Sequence, residues 1–242
     1  MEPIKARALV IHEYEAGESD KRLLLLCKDH GKIMAYARGA KKPKSKFMAA
    51  SQIFTYADFI LTKGPGFYSV AQAEVIESFY PLRQDYDRLM TAYKILETCK
   101  KTIWDNINYD PLLLLILKSF QNLCKDSPNS IMTPQQIYCV FIHRFYDFSG
   151  VSPQLESCIV CNTALKEINE KVFVCTEGLC CKNHRPINSK AISYDGLIAL
   201  KFIIQSEMPK AFLFNASTDI INQLNQYAEL IWDAHFGQPF TN

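Results

Sequence analysis

A cluster of cysteine and histidine residues has the spacing of a metal site. Five of the nine cysteines lie between residues 158 and 181, and a histidine follows at position 184. Cys158 and Cys161 form one Cys-x2-Cys pair, and Cys181 and His184 form a second pair with the same spacing. Each pair can direct two ligand atoms at one ion, so two pairs complete a tetrahedral Zn²⁺ site. The sequence therefore predicts one structural zinc ion held by Cys158, Cys161, Cys181 and His184.

Two neighbouring cysteines leave the ligand set open. Cys180 adjoins a predicted ligand and Cys175 lies six residues before Cys181, so either could replace one of the four. Without metal, the cluster would be a group of free thiols. A redox-active Cys-x2-Cys pair is a further alternative, but it needs a preceding strand and a following helix, which the sequence around Pro153 does not indicate. The other four cysteines are scattered among apolar residues and are expected to be reduced: Cys27, Cys99, Cys124 and Cys139.

A second feature is a run of basic residues. Residues 28–50 contain seven Lys and Arg side chains and a single acidic one, although the whole chain carries a net charge of only +2. Gly39 and Pro43 predict a loop here, and Tyr36 and Phe47 flank it as candidates for base stacking. Close cations repel each other unless an anion such as phosphate lies between them. A solvated surface loop or a nuclear-localisation signal would have similar composition. The predicted nucleic-acid contacts are Lys32, Tyr36, Arg38, Lys41, Lys42, Lys44 and Lys46.

The elements around this loop read as short strands. Alternating or continuous apolar segments, separated by turn residues, predict about five strands within the first 80 residues, and five short strands favour a small antiparallel β-barrel. The predicted strands cover residues 6–12, 22–27, 32–37, 54–62 and 68–77.

After Pro81 the apolar residues recur with a helical period, as along the face formed by Leu89, Ala92 and Leu96. Prolines at positions 111 and 134 stand where the first turn of a helix tolerates them. The other predicted helices cover residues 111–123, 134–148, 195–206 and 217–235. The chain is therefore expected to be an α+β protein with residues 1–80 as the barrel and residues 81–242 as a helical domain.

Composition and missing motifs narrow the function. A hydrophobic content of 48% and a small net charge exclude a disordered chain. There is no apolar run of about 18 residues and no secretion signal, which predicts a cytoplasmic protein with no membrane partner. Phosphate-loop, dinucleotide-binding, zinc-protease and nucleophile-elbow motifs are missing, and a closed four-ligand zinc site has no position for a reacting water. A binding protein is therefore expected rather than an enzyme.

Several blocks of the sequence resemble the RecO family of bacterial DNA repair proteins. The similarity extends over almost the whole chain and includes the cysteine segment, although Glu177 stands where the family often has glycine and His184 where a fourth cysteine is usual. Some family members lack the zinc cysteines, so the metal is not essential to the family's activity. The blocks are Ala8-Leu9-Val10-Ile11, Gly17-Glu18-Ser19-Asp20, Ala37-Arg38-Gly39-Ala40-Lys41-Lys42 and Ala73-Glu74-Val75-Ile76-Glu77.

The resemblance implies an oligonucleotide-binding (OB) barrel followed by a helical domain, with a zinc-finger-like module at residues 155–190. It implies a mediator of homologous recombination that binds single- and double-stranded DNA, anneals complementary strands and, with RecR, helps RecA to displace single-stranded-DNA-binding protein. It also implies association with the nucleoid. The basic loop by itself is equally compatible with an RNA-binding barrel in translation or RNA processing.

Overall fold

The first five strands close into a barrel. The computed structural model describes residues 3–103, 107–125, 132–164 and 172–237. The strands are β1 (Ile4–Ala16), β2 (Asp20–Cys27), β3 (Gly31–Ala37), β4 (Tyr56–Lys63) and β5 (Tyr68–Glu77). Their order around the barrel is β1-β2-β3-β5-β4, and β4 pairs with β1. Four neighbouring pairs are antiparallel, whereas β3 and β5 are parallel over a short stretch, so the predicted barrel is confirmed but is not antiparallel throughout.

Along most of these strands every second side chain points inward, and the inward side chains fill the barrel. Alanines at inward positions allow the strands to curve tightly around larger residues such as Leu25 and Phe59. The fourth strand begins at Tyr56, two residues later than predicted. Phe54 instead adopts a positive φ of 71° and lies outside the strand, where its ring packs against Tyr93 and Phe120.

Two helices cover the outer face of β1 and β2. They are α1 (Tyr86–Thr102) and α2 (Asp110–Leu123), and a single 3₁₀ turn, Tyr80–Gln84, precedes them. The outward side chains beneath them are apolar and buried: Leu9, Ile11, Leu24 and Leu26. The barrel and these helices form one compact unit, residues 1–124. The change from strands to helices falls at the predicted position near residue 80. However, α1 and α2 belong to the same compact unit as the barrel.

The second unit, residues 125–242, combines helices with a small sheet. Its helices are α3 (Pro134–Phe148), α4 (Tyr194–Gln205), α5 (Met208–Ala211) and α6 (Thr218–His235), and its strands are β6 (Val172–Val174), β7 (Leu179–Cys180) and β8 (Lys190–Ile192). Three of these helices agree with the predicted spans to within a residue. Thr133 begins α3 with a capping box and Ser217 caps α6, which explains why both starts were visible in the sequence. Among the described residues, no helix is both long and apolar enough to cross a membrane.

A histidine lies in the core of the second unit. His143 on α3 is 1% exposed, stacks on the ring of Tyr227 and has its Nε2 atom 3.1 Å from the carbonyl oxygen of Leu224. Burial lowers the pKa of His143 to about 4, because the charged imidazolium would lose its hydration. The side chain is therefore a neutral structural group and is not a metal ligand.

Candidate metal centre and nucleic-acid interface

Two tight turns bring the predicted metal ligands together. In the first, the N–H of Asn162 donates to the carbonyl of Cys158 at 2.9 Å, which curls the chain so that both thiols of the pair face the same side. In the second, the N–H of His184 donates to the carbonyl of Cys181 at 3.0 Å. These two turns, called knuckles below, carry the two ligand pairs that the spacing predicted.

The four ligand atoms converge to the dimensions of a zinc site. The Sγ atoms of Cys158, Cys161 and Cys181 and a ring nitrogen of His184 all lie within 4.8 Å of one another. Individual separations are 4.0 Å between the Sγ atoms of Cys161 and Cys181, and 3.2 Å and 3.8 Å from His184 Nδ1 to the Sγ atoms of Cys181 and Cys158. Tetrahedral ligands with zinc–sulfur and zinc–nitrogen bonds of about 2.3 and 2.0 Å are roughly 3.5–3.8 Å apart. The cluster can therefore hold a metal ion without large movement.

The surrounding backbone favours thiolates at the first knuckle. Burial raises the pKa of Cys158, but N–H groups of Cys161, Cys181 and Val160 more than offset it, and the pKa falls to about 6. The hydroxyl of Thr163 lies 3.2 Å from Cys161 Sγ and lowers the pKa of that thiol. The pKa of Cys181 is raised instead, through burial and its two thiol neighbours. Three adjacent thiolates repel one another, so a bound dication is what would allow all three to ionise together.

The other two cysteines of this segment, Cys175 and Cys180, are not members of this group of four. Cys175 and Cys180 are buried, and their sulfur atoms are 3.4 Å from each other. Among the described residues, the only group with metal-ligand geometry is Cys158, Cys161, Cys181 and His184. The structure therefore brings together the four residues predicted first.

The basic loop follows β3 and is anchored at its start. Asp20 accepts a hydrogen bond of 2.7 Å from the N–H of Gly39, which has a positive φ of 67°. The N–H of Lys41 donates to the carbonyl of Ser19 at 2.9 Å. The turn between β1 and β2 thus fixes the beginning of the basic loop. This contact joins two of the sequence blocks that resemble the RecO family, residues 17–20 and 37–42.

The predicted cations differ in how free they are. Lys41 pairs with Glu15 at 3.2 Å, and the Lys46 ammonium donates to the carbonyl of Ala71. The Lys32 ammonium lies at the other end of β3, where it donates to the carbonyl of Ile103. Of the predicted cations, Arg38, Lys42 and Lys44 are exposed and have no side-chain partner among the described residues.

Phe47 is not a base-stacking residue, contrary to the sequence-based expectation. Its side chain is 6% exposed and packs in the barrel core beside Ala40 and Ala50. The loop turns inward after Lys46 and closes the barrel with these three residues. Burial of an aromatic ring is favourable by roughly 2 kcal/mol relative to leaving it exposed to water.

A row of aromatic and basic side chains crosses three strands beside the loop. Tyr14 on β1 pairs with Arg22 on β2, which in turn pairs with Tyr36 on β3. The Arg22 guanidinium lies 5.5 Å from the centre of the Tyr14 ring, and the Tyr36 ring lies 5.0 Å from that of Phe67. Phe67, which precedes β5, is 39% exposed. Of this row, only Tyr36 was singled out in the sequence, because the others become neighbours only through strand register.

The arrangement matches the requirements of single-stranded nucleic acid. The Phe67 ring is exposed and the Tyr14 and Tyr36 rings are partly exposed, so they offer surfaces on which bases can stack. Nearby cations can contact the phosphates. Both features lie at the same end of the barrel, because Ala37 at the start of the loop pairs with Lys21 beside Arg22. The surface formed by Tyr14, Arg22, Tyr36, Phe67, Arg38, Lys42 and Lys44 is called the strand face below.

Comparisons with known proteins agree with this architecture. Residues 1–79 match the family model "Recombination protein O N terminal", and residues 83–242 match "Recombination protein O C terminal". The two matches meet close to the change from barrel strands to helices.

Similar proteins cover most of the chain. A protein from Acetivibrio thermocellus named DNA repair protein RecO is 33% identical over 230 residues, which are 95% of this chain and 90% of that protein. Proteins of the same name from Alkaliphilus metalliredigens and Clostridium novyi are 32% and 27% identical over 80% and 93% of this chain, and over 77% and 86% of their own lengths. Family models match both halves of the chain, and the barrel and the cysteine module (residues 155–190, which contain the four clustered ligand residues) are in place. The chain therefore belongs to the RecO family of DNA repair proteins.

Proposed function

We propose that this protein is a recombination mediator that holds single-stranded DNA on the strand face of its barrel. The observation that carries this proposal is the row Tyr14, Arg22, Tyr36 and Phe67 beside three cations that have no side-chain partner in the described part of the chain. Base stacking is tolerant of sequence and phosphate contacts are independent of it, so such a surface suits a protein that acts at any gap. Membership of the RecO family supports a role in DNA repair.

The same surface provides a mechanism for annealing. Two complementary strands repel each other through their phosphates, and a cationic loop that neutralises some of that charge lowers this barrier. Phosphate contacts from Arg38, Lys42 and Lys44 also allow duplex DNA to bind, whereas the rings require unpaired bases. The protein would therefore bind both forms and act by bringing strands together, without covalent chemistry.

We propose that the metal of the cysteine module is zinc and that it is structural. Three thiolates and one imidazole are a common zinc set, and all four positions are taken by protein atoms. The ion would join the two knuckles and stabilise residues 155–190, where the described strands β6 and β7 have only three and two residues. Metal binding and folding of this module would then be coupled.

The proposal includes partners in the bacterial cytoplasm. RecR, single-stranded-DNA-binding protein and, through them, RecA are expected to act with this chain at gaps in the nucleoid. Its part is to hold the strand while single-stranded-DNA-binding protein is displaced.

Strand annealing tests the proposal. Complementary oligonucleotides, one labelled with a donor and one with an acceptor fluorophore, are mixed with the protein with and without single-stranded-DNA-binding protein. We expect faster annealing in both conditions, and a slower rate for the Tyr36→Ala, Phe67→Ala double variant. Tyr80→Ala, Tyr86→Ala is the matched control, because both tyrosines are exposed and lie outside the strand face. No acceleration with the wild-type chain, together with preferential binding of an RNA oligonucleotide of equal sequence, would instead favour an RNA-binding protein.

A further inference from the structure

Two thiols in the cysteine module are not needed for the metal. Cys175 follows β6 and Cys180 ends β7, and their Sγ atoms are 3.4 Å apart. Cys175 and Cys180 are 3% and 0% exposed, whereas the metal ligand Cys161 is exposed. Cys99 and Cys139 are also buried, but no sulfur atom is recorded beside either of them in the part of the chain that the structure describes.

The hairpin between β6 and β7 keeps this pair in place. The backbones of Cys175 and Gly178 exchange two hydrogen bonds, of 2.9 and 3.2 Å, around a two-residue turn. A Cβ atom at Gly178 would lie 2.4 Å from the carbonyl oxygen of Gln154, so the turn packs directly on neighbouring backbone. Phe173 pairs with Cys180, which places the two cysteines diagonally across the hairpin with their sulfur atoms together.

We propose that Cys175 and Cys180 form a site of reversible oxidation, closing to a disulfide when the protein meets a hydroperoxide. The sulfur atoms need to approach by about 1.4 Å to reach the bonded distance of about 2.05 Å. Both sulfur atoms already lie on one hairpin. Once one thiol is oxidised, attack by the other is therefore intramolecular, which makes it fast.

The chemistry balances with the hydroperoxide as the two-electron oxidant. Cys175, as its thiolate, attacks the terminal peroxide oxygen, which gives a sulfenic acid and releases the alcohol, or water from hydrogen peroxide. The second thiol attacks the sulfenic sulfur, the sulfur–oxygen bond breaks, and the oxygen leaves as water with the remaining thiol proton. Two thiols and one hydroperoxide thus give one disulfide, one alcohol and one water. A dithiol reductant reverses the change by thiol–disulfide exchange.

Burial restricts the two thiols to small oxidants but does not prevent such molecules from reaching them. The strands β6 and β7 have three and two residues, so little backbone pairing must open for a molecule as small as hydrogen peroxide to enter. Larger oxidants would be excluded. Because Cys180 directly precedes the metal ligand Cys181, the disulfide would hold the second knuckle close to the hairpin even when the ion has left.

Peptide mapping of the full chain tests the proposal. Zinc-supplemented protein is treated with hydrogen peroxide, unfolded in N-ethylmaleimide and digested with trypsin and with a protease that cuts after glutamate. Cleavage after Glu177 separates Cys175 from Cys180, so a disulfide joins two peptides that are otherwise free. We expect the joined peptides in oxidised protein and their loss after dithiothreitol, whereas Cys99 and Cys139 are recovered as alkylated thiols.

Variants identify the sulfur atoms involved. Cys175→Ser and Cys180→Ser should each abolish the joined peptides, whereas Cys124→Ser, which lies outside the cysteine module, should retain them. The wild-type comparison does not depend on how well any variant folds. The proposal is overturned if Cys175 and Cys180 remain thiols to the same extent as Cys99 and Cys139, or if the joined peptides persist in Cys180→Ser.

Discussion

Removing the two freest lysines of the basic loop should change the salt dependence of DNA binding by a defined amount. Lys42 and Lys44 are exposed and have no side-chain partner among the described residues, whereas Lys41 and Lys46 have protein partners. Each phosphate contact to a single strand contributes about 0.7 to the slope of log K against log salt, so Lys42→Ala, Lys44→Ala should reduce that slope by about 1.4. At about 0.15 M salt this is a roughly tenfold loss of affinity, or about 1.5 kcal/mol, and the loss should vanish near 1 M.

Fluorescence anisotropy with a labelled oligothymidine across a salt series measures both quantities. Lys5→Ala, Lys28→Ala is the matched control, because it removes the same charge at the opposite end of the barrel, where Cys27 pairs with Gly31. The control should retain the wild-type slope. Equal slopes for all three proteins would refute the assignment of the loop, and an equal change in both variants would show that only net charge matters.

Three further predictions concern separate parts of the molecule. Phe67→Ala should weaken binding of single-stranded DNA by about 1–3 kcal/mol and leave the salt slope unchanged, as measured by the same anisotropy series, because stacking involves no counterion release. Elemental analysis should find one zinc per chain in the wild type and in Cys175→Ala but none in Cys158→Ala, and metal loss from Cys175→Ala would contradict the ligand set. The pKa of His143 lies at about 4, below its unfolded value of about 6.5, so stability is full above pH 6.5 and falls as the pH drops toward 4. Urea unfolding should show about 3 kcal/mol more loss over this range in the wild type than in His143→Gln, and identical pH profiles would contradict burial of the neutral ring.

Local patterns predicted most of the elements and the group of three cysteines and one histidine that has metal-ligand geometry. The third helix was predicted with its observed bounds because Pro134 marks its start in the sequence. The capping box of Thr133, which the structure shows, reinforces that start. In each knuckle the two ligand residues are three positions apart. A tight turn over that distance brings their side chains to the same side, so the spacing alone predicts the arrangement. The strands β6, β7 and β8 were not predicted, since two or three residues are too few to show a period.

The strand face needed information that is not local. Tyr14, Arg22 and Tyr36 become neighbours through the registers of two strand pairs, and Phe67 joins them from a distant turn. Phe47 was misassigned for the same reason, since its sequence context is charged and only the closed barrel provides its apolar surroundings. A register map drawn from the alternation of the strands would have placed the first three residues on one line.

Because the basic loop turns inward after Lys46, only some of its residues can be altered without affecting the folding of the barrel. Shortening the loop past Lys46 would withdraw Phe47 and Ala50 from the barrel and leave its interior open to water, so a deletion would report on folding as much as on binding. Residues 42–44 lie outside that constraint and are exposed. A fluorophore or a short inserted tag at these positions would therefore lie within reach of bound DNA while the barrel stays closed.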